Sequence, residues 1–268
     1  MKEALQLLDL ARFVFALAIL SYGALSDFRK REVANEVWIL GLPVGFFLTA
    51  LWLALRFQLE TLIMVAASAL CSFLLGLALF YLGFAGGADA KALFFLGLSL
   101  PLYPGEAFKP LSPVVPIFPL TVFDNAILMS LSVPCTIALR NFLHAIRGGK
   151  ILGEVRAGSL GKIVLLLSSY RVPLADLKKK VYLNPAERPF QDEGRILRRP
   201  IYFMSAGADR EKLIEEIEGY ASKGLYDDGI LVSPTLPMVL FLAMGLVLGI
   251  FGDIALFIAL QIVAFLTF

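Results

Sequence analysis

The chain has 268 residues, 59% of them hydrophobic and only 17% charged, where a soluble domain carries about 25% charge. Several of its apolar runs reach the roughly 20 residues needed to cross a bilayer core as a helix, which excludes an ordinary soluble enzyme. The net charge of +2 hides an uneven distribution, because residues 140–235 hold 16 of the 24 Lys/Arg and 12 of the 22 Asp/Glu.

The hydropathy pattern predicts an all-α polytopic membrane protein of about six transmembrane helices, with a small α+β cytoplasmic domain inserted before the last span. The spans are expected near residues 5–25, 37–55, 61–82, 90–100 and 118–139, with a sixth beginning near 234. The first run is longer than a signal-peptide core and lacks a small-residue cleavage site, so it is expected to be retained. Asn35 is placed to cap the second helix. The fourth span is short, and the proline-rich "PLSPVVPIFP" separates it from the fifth. Beyond Gly252-Asp253 the apolar run to residue 268 is read as continuing the sixth span through a kink, with a separate returning segment as the other option. The chain therefore divides into a membrane part at 1–139, a cytoplasmic domain at 140–233 and a C-terminal membrane segment at 234–268.

Orientation follows from Lys and Arg in short loops. Arg29, Lys30 and Arg31 follow the first span, whereas the next loop has only Arg56 and the loop after the fourth span only Lys109. The N-terminus is thus expected outside, with the 28–36 loop, the 83–90 loop and residues 140–233 in the cytoplasm. Within that domain "KIVLLLSSYRV", "RRPIYFM" and "GILVS" suit strands, and "DREKLIEEIEGYASKG" suits a helix stopped by Gly224. "AGSLGKI" lacks the leading glycine of a phosphate-binding loop, because Arg156 stands in its place, so it reads as a turn. No nucleic-acid-binding pattern is present.

Two acids stand out against the apolar background. Asp27 ends the first span, and Asp89 begins the fourth in "YLGFAGGADAKALFFLG". Ionisable residues at membrane depth are costly and face a cavity or a partner. The predicted topology brings both acids to the cytoplasmic face. Two carboxylates held close cannot both ionise cheaply, so such a pair supplies a general base and a general acid together. Gly86 and Gly87 would let backbone pass close to a helix or an extended substrate. Lys91, two residues after Asp89, either biases the pair's charge or snorkels to the interface.

Other arrangements remain open on residue types alone. Asp27 and Asp89 also suit the proton carriers of a transporter, although no internal repeat supports that. Ser26 with Lys91 suits a Ser-Lys nucleophile, and a structural membrane subunit is a third possibility. Cys71 and Cys135 are not paired for zinc or a disulfide framework, and His144 is the single histidine, so no metal or other cofactor is expected. Asp9 and Arg12 sit three apart on one helix and are positioned to pair, whereas Asp124, Asn125 and Asp253 read as structural.

"SDFRKREVANEVW", with "GGADAKAL" beginning at Gly86, resembles the aspartic peptidases of the type IV prepilin peptidase family, in particular their archaeal preflagellin (prearchaellin) branch. The first motif of that family is matched by Asp27, Arg29–Arg31 and Asn35. The second, G-x-G-D, reads here Gly86-Gly87-Ala88-Asp89, with alanine in place of the last glycine. "FPLTVFDNAILMS" and "VSPTLPMVLFLAMG" also resemble the archaeal branch. The resemblance implies that Asp27 and Asp89 are catalytic, with Gly86, Gly87 and Lys91 supporting the loop or the substrate. It implies removal of short basic leaders from pilin or archaellin precursors at the cytoplasmic face of the lipid bilayer. The four-cysteine loop of bacterial members is missing, so peptidase activity without methylation is expected. The oligomeric state is not legible.

Overall fold

The computed structural model describes residues 1–30, 32–153, 155–192, 195–202 and 210–267. It forms two compact units, one of Met1–Ser130 with Pro237–Phe268 and one of Leu131–Leu236.

The first unit is helical: α1 (Lys2–Lys30), α2 (Asn35–Leu55), α3 (Leu59–Tyr81), α4 (Gly87–Ser99), α5 (Phe118–Ser130), α10 (Met238–Gly249) and α11 (Ile254–Thr267). Helix α4 is its centre, with Ala92, Phe95, Leu96 and Leu100 fully buried. Small residues let neighbouring helices approach it, the usual device where lipid gives no hydrophobic drive for helix association. The buried residues of α3 are Ser68, Ser72 and Gly76, spaced four apart on the face that meets α4. A Cβ on Gly76 would stand 2.9 Å from the Ala90 carbonyl oxygen, and one on Gly97 would stand 2.7 Å from the Ser72 Cβ. On α2, Gly41 and Gly45 make room for the Phe95 ring.

One end of this unit is fixed by polar contacts. Arg12 on α1 is buried, pairs with Asp9 at 3.3 Å, stacks over the Trp52 ring and donates from Nε to the Ser99 carbonyl. The Thr49 hydroxyl donates to the same carbonyl, so a last-turn acceptor of α4 that the helix itself leaves open is satisfied twice. Asp9 also accepts the backbone N–H of Glu106 at 3.0 Å. The segment after α4 is pinned to the end of α10: the Tyr103 hydroxyl donates to the Ile250 carbonyl, and the N–H groups of Leu111 and Ser112 donate to that of Phe251.

Among the described residues, four helical stretches are long and apolar enough to cross a membrane: Lys2–Lys30, Asn35–Leu55, Leu59–Tyr81 and Phe118–Ile146. A fifth is added if α10 and α11 count as one broken span. The chain is a multi-pass membrane protein. Of the expected spans, α4 has 13 residues and extends only about 20 Å, short of the roughly 30 Å of the hydrocarbon core. The kink expected after α10 is a 73° break. Gly252 takes φ +110° there. Asn125 clamps the corner by donating to the Gly252 carbonyl and accepting the N–H groups of Ile254 and Ala255. Asp253 accepts the Leu256 N–H and so caps α11.

The second unit contains α6 (Ser132–Ile146), α7 (Ser159–Ser168), α8 (Leu174–Lys179) and α9 (Arg210–Ala221). Its strands are β1 (Tyr170–Val172), β2 (Leu183–Pro185), β3 (Glu187–Asp192), β4 (Arg195–Pro200) and β5 (Ile230–Pro234). β5 lies between β1 and β2, antiparallel to both, and β3 pairs with β4. The core gathers Val172, Leu177, Leu183, Ile217 and Ile230. The helix expected at 209–224 is α9, with Asp209 outside the described residues, and Gly224 follows it at φ +83°. "GILVS" is β5. "RRPIYFM" contributes Arg198–Pro200 to β4, while Phe203 and Met204 lie outside the described residues. "KIVLLLSSYRV" differs from expectation: most of it is the helix α7, and only its last three residues form β1. Leu165 of that helix points into the core while neighbouring apolar residues stay exposed. The run is apolar on two helix faces, and periodicity cannot separate that from a buried strand.

Candidate functional site

Asp27 lies in the closing turns of α1, followed by Arg29 and Lys30. Arg31, the last of the expected basic stretch, is outside the described residues. Asp89 is the third residue of α4. Its Oδ2 accepts the Gly86 N–H at 2.8 Å, a third-position carboxylate turning back onto the cap residue. The N–H of Val239, in the first turn of α10, bears on the same carboxylate. Asp89 therefore sits near the N-terminal ends of both α4 and α10. Charge on Asp27 is also among those that act on Asp89. Both carboxylates are half-buried.

The surrounding contacts join elements distant in sequence. Lys91 Nζ donates to Asn35 Oδ1 at 2.6 Å, tying the start of α2 to α4 next to Asp89. Asn35 is therefore not the cap expected for α2. Ala34 occupies that position and makes no side-chain cap bond. The Ser26 hydroxyl donates to the Glu32 carbonyl at 2.9 Å and so closes the loop after α1. Ser26 and Lys91 thus each have a partner of their own. One turn before Asp27, Gly23 lets α10 approach α1: a Cβ there would stand 3.3 Å from Val239 Cγ1 and 3.9 Å from the Trp38 ring.

The two glycines before Asp89 are not under steric pressure. The nearest atom to a Cβ on Gly86 is Asp89 Oδ2 itself at 3.4 Å, and for Gly87 it is Phe80 Cε2 at 3.8 Å. The left-handed residue of this loop is Gly83, at φ +77°, and the close backbone approach is made by Gly76 on α3. Gly23, Gly76 and Val239 were not singled out from the sequence. Gly23 carries a faint signal, a small residue four before Asp27 on the same helix face. Val239 carries none, because its contribution is a backbone N–H brought from 150 residues away in the chain.

Two apolar grooves flank the pair. One of about 340 Å³ runs between α3 and α4, with Gly87, Ala90 and Lys91 along its wall. The other, of about 470 Å³, runs between α1 and α10 from Phe28 to Leu17 and from Leu240 to Val247. His144 is exposed on α6. Among the described residues no cluster of three or more His, Cys, Asp or Glu is arranged to hold a metal ion.

Comparison with known proteins finds two family profiles and several relatives. The profile of the type IV leader peptidase family matches residues 14–135, the stretch that carries Asp27 and Asp89. That of the archaeal peptidase A24 C-terminus, type II, matches residues 161–254. Similar proteins include the preflagellin peptidase of Methanococcus voltae, 26% identical over 172 residues, which are 62% of this chain and 70% of that one. The preflagellin peptidase of Methanocaldococcus jannaschii is 26% identical over 184 residues, 66% of this chain and 78% of that one. That of Methanococcus maripaludis is 25% identical over 237 residues, 86% of this chain and 90% of its own. One profile of this peptidase group thus covers the helices bearing both acids and another runs from α7 into α11, so the chain is similar to the type IV leader peptidase family over both stretches.

Proposed function

We propose that the protein is a membrane aspartic endopeptidase that removes the short basic leader from archaellin or type IV pilin-like precursors. What supports this reading is that Asp27 and Asp89 lie at the C-terminal end of α1 and the N-terminal end of α4, in the segment the family profile matches. Gly86, Gly87 and Lys91 are the supporting residues of the loop around Asp89. The precursor class follows from the likeness to preflagellin peptidases.

The mechanism follows from the pair. Like charges close together hold one proton between them, so one carboxylate is ionised and its neighbour protonated. The ionised group takes a proton from a water molecule as the water oxygen attacks the scissile carbonyl carbon. The protonated group delivers its proton to the leaving amine nitrogen as the C–N bond breaks. The products are a leader with a free carboxylate and a mature chain with a free amine, and the dyad again holds one proton.

The positive-inside argument places the N-terminus outside and residues 140–233 in the cytoplasm. The N-termini of α2, α4 and α10 and the C-terminus of α1 then meet at the cytoplasmic face, where a basic leader would be presented. The precursor's apolar helix would remain in the bilayer beside the spans.

The test is cleavage of a pilin-like precursor by purified protein. Asp27→Asn and Asp89→Asn should each lower turnover by at least about 10²-fold, the lower range for loss of a general acid or base, while the protein stays folded. Normal processing by either folded variant overturns the assignment. Activity retained in Ser26→Ala separates this reading from a Ser-Lys site.

A further inference from the structure

Helix α7 carries apolar side chains on two faces. Leu165 is fully buried, against Val155, Ala186 and Leu231. On another face Leu160, Ile163, Val164 and Leu167 are 75%, 55%, 40% and 44% exposed. Their spacing of three, four and seven residues makes one continuous stripe along the helix. A contiguous stripe of this kind is a surface awaiting a partner rather than a scatter of surface residues.

What covers it is indicated by α6 and by charge. Asn141 of α6 donates from Nδ2 to the carbonyls of Leu166 and Ser169, at 2.8 Å each, so α6 and the end of α7 are locked together. Helix α6 belongs to the candidate membrane span Phe118–Ile146. It displays its own exposed stripe, Leu139, Phe142, Leu143 and Ile146, at the same spacing. The continuation of a membrane helix into a locked partner with the same exposed pattern points to the same solvent, lipid. Between residues 140 and 168 the sequence has Arg140, Arg147, Lys150, Arg156 and Lys162 against a single acid, Glu154, whereas residues 169–235 contain 11 of the acids. The basic excess is therefore confined to the segment with the apolar stripe. Apolar residues over one face with cations beside them describe a helix lying in the plane of an anionic bilayer surface.

We infer that α7 is an interfacial helix, seated in the headgroup region of anionic lipid by Leu160, Ile163, Val164 and Leu167, with Lys150 and Lys162 among the residues that meet the lipid phosphates. This anchors the second unit to the membrane through a contact separate from the spans and independent of the aspartates.

The test uses the full chain with Cys71→Ser and Cys135→Ser, reconstituted in nanodiscs containing phosphatidylglycerol. A fluorophore is placed at Ile163→Cys or, as the aqueous control on α9, at Glu215→Cys. The Ile163 label should lose most of its emission to nitroxide-bearing lipid and little to aqueous iodide, with the reverse for Glu215. Quenching of the Ile163 label by iodide overturns the inference. Shielding from both quenchers also overturns it, because it assigns the stripe to protein, a second copy included. Lys150→Glu with Lys162→Glu, or nanodiscs of zwitterionic lipid, should lower lipid quenching at Ile163 several-fold. Quenching unchanged by both treatments overturns the role given to headgroup charge.

Discussion

Gly76 on α3, not the glycines beside Asp89, sets the position of the N-terminal half of α4, and a methyl group at this position tests that. A Cβ on Gly76 would lie 2.9 Å from the Ala90 oxygen and 3.1 Å from its Cα, where ordinary contact begins at 3.4 Å. The obstacle is helix backbone, which cannot rotate away as a side chain would, so Gly76→Ala must push α4 outward by about 0.5 Å in a close-packed interface. Ala90 is bonded to Asp89, and the acid moves with it. Catalytic geometry tolerates about 0.5 Å, and a 1 Å displacement costs about 10²-fold. Gly76→Ala should therefore lower precursor cleavage on the order of 10-fold and Gly76→Val about 10²-fold. Gly97→Ala is the control for packing loss. Its Cβ meets the Ser72 Cβ at 2.7 Å, but it lies eight residues further along α4, about 12 Å from the site. It should lower the melting temperature comparably and turnover less. Gly87→Ala, with its nearest neighbour at 3.8 Å, should stay within about twofold of the unsubstituted protein. Single-turnover cleavage and thermal unfolding in the same detergent read both quantities. Wild-type turnover in Gly76→Ala, or turnover losses at Gly76 and Gly97 that simply track stability, would refute the reasoning. A large loss at Gly87 would show that its bareness serves the substrate instead.

Arg12→Met should destabilise the membrane unit by about 3–5 kcal/mol, because it strands the buried Asp9 carboxylate. Asp9→Asn combined with Arg12→Met should recover part of that, read as melting temperature. Asn35→Ala and Lys91→Ala should each lower turnover a few-fold and combine less than additively, since either breaks the same 2.6 Å hydrogen bond. Burial holds the Glu187 carboxyl above its ordinary value of 4.5, against the pull of the Leu231 N–H and the charges of Arg171 and Arg198. The folded chain then retains a proton that the unfolded chain releases. The stability tied to it is present below pH 4.5 and is lost as pH rises through the raised native value. The melting temperature should fall over that range, and Glu187→Gln should flatten the dependence. Cleavage should persist in strong chelators, and loss of turnover restored by zinc would contradict a carboxylate mechanism.

The long apolar runs of α1, α2 and α3 were legible because a helix in lipid must satisfy its own backbone and present apolar residues all round. The two acids were legible for the complementary reason that charge in such a run is costly. Legibility failed where a residue acts through its backbone or through a neighbour distant in the chain. The Val239 N–H at Asp89 leaves no trace in the side-chain pattern. Asn35 has the right chemistry for a cap, yet its amide is taken by Lys91, 56 residues away. α4 reads as a span because it is apolar, but Leu100 and Pro101 end it before it is long enough. The strand expected at 162–172 became a helix because its outer face is as apolar as its inner one.

The Val239 N–H draws attention to the chain that leads into α10. β5 ends at Pro234 and α10 starts at Met238, so only Thr235, Leu236 and Pro237 join the two elements. Pro234 and Pro237 remove two rotational freedoms from that short tether. The first turn of α10, which carries Val239, is thus reached through a stretch of chain with few conformations open to it, and a flexible insert after Thr235 would remove that restriction.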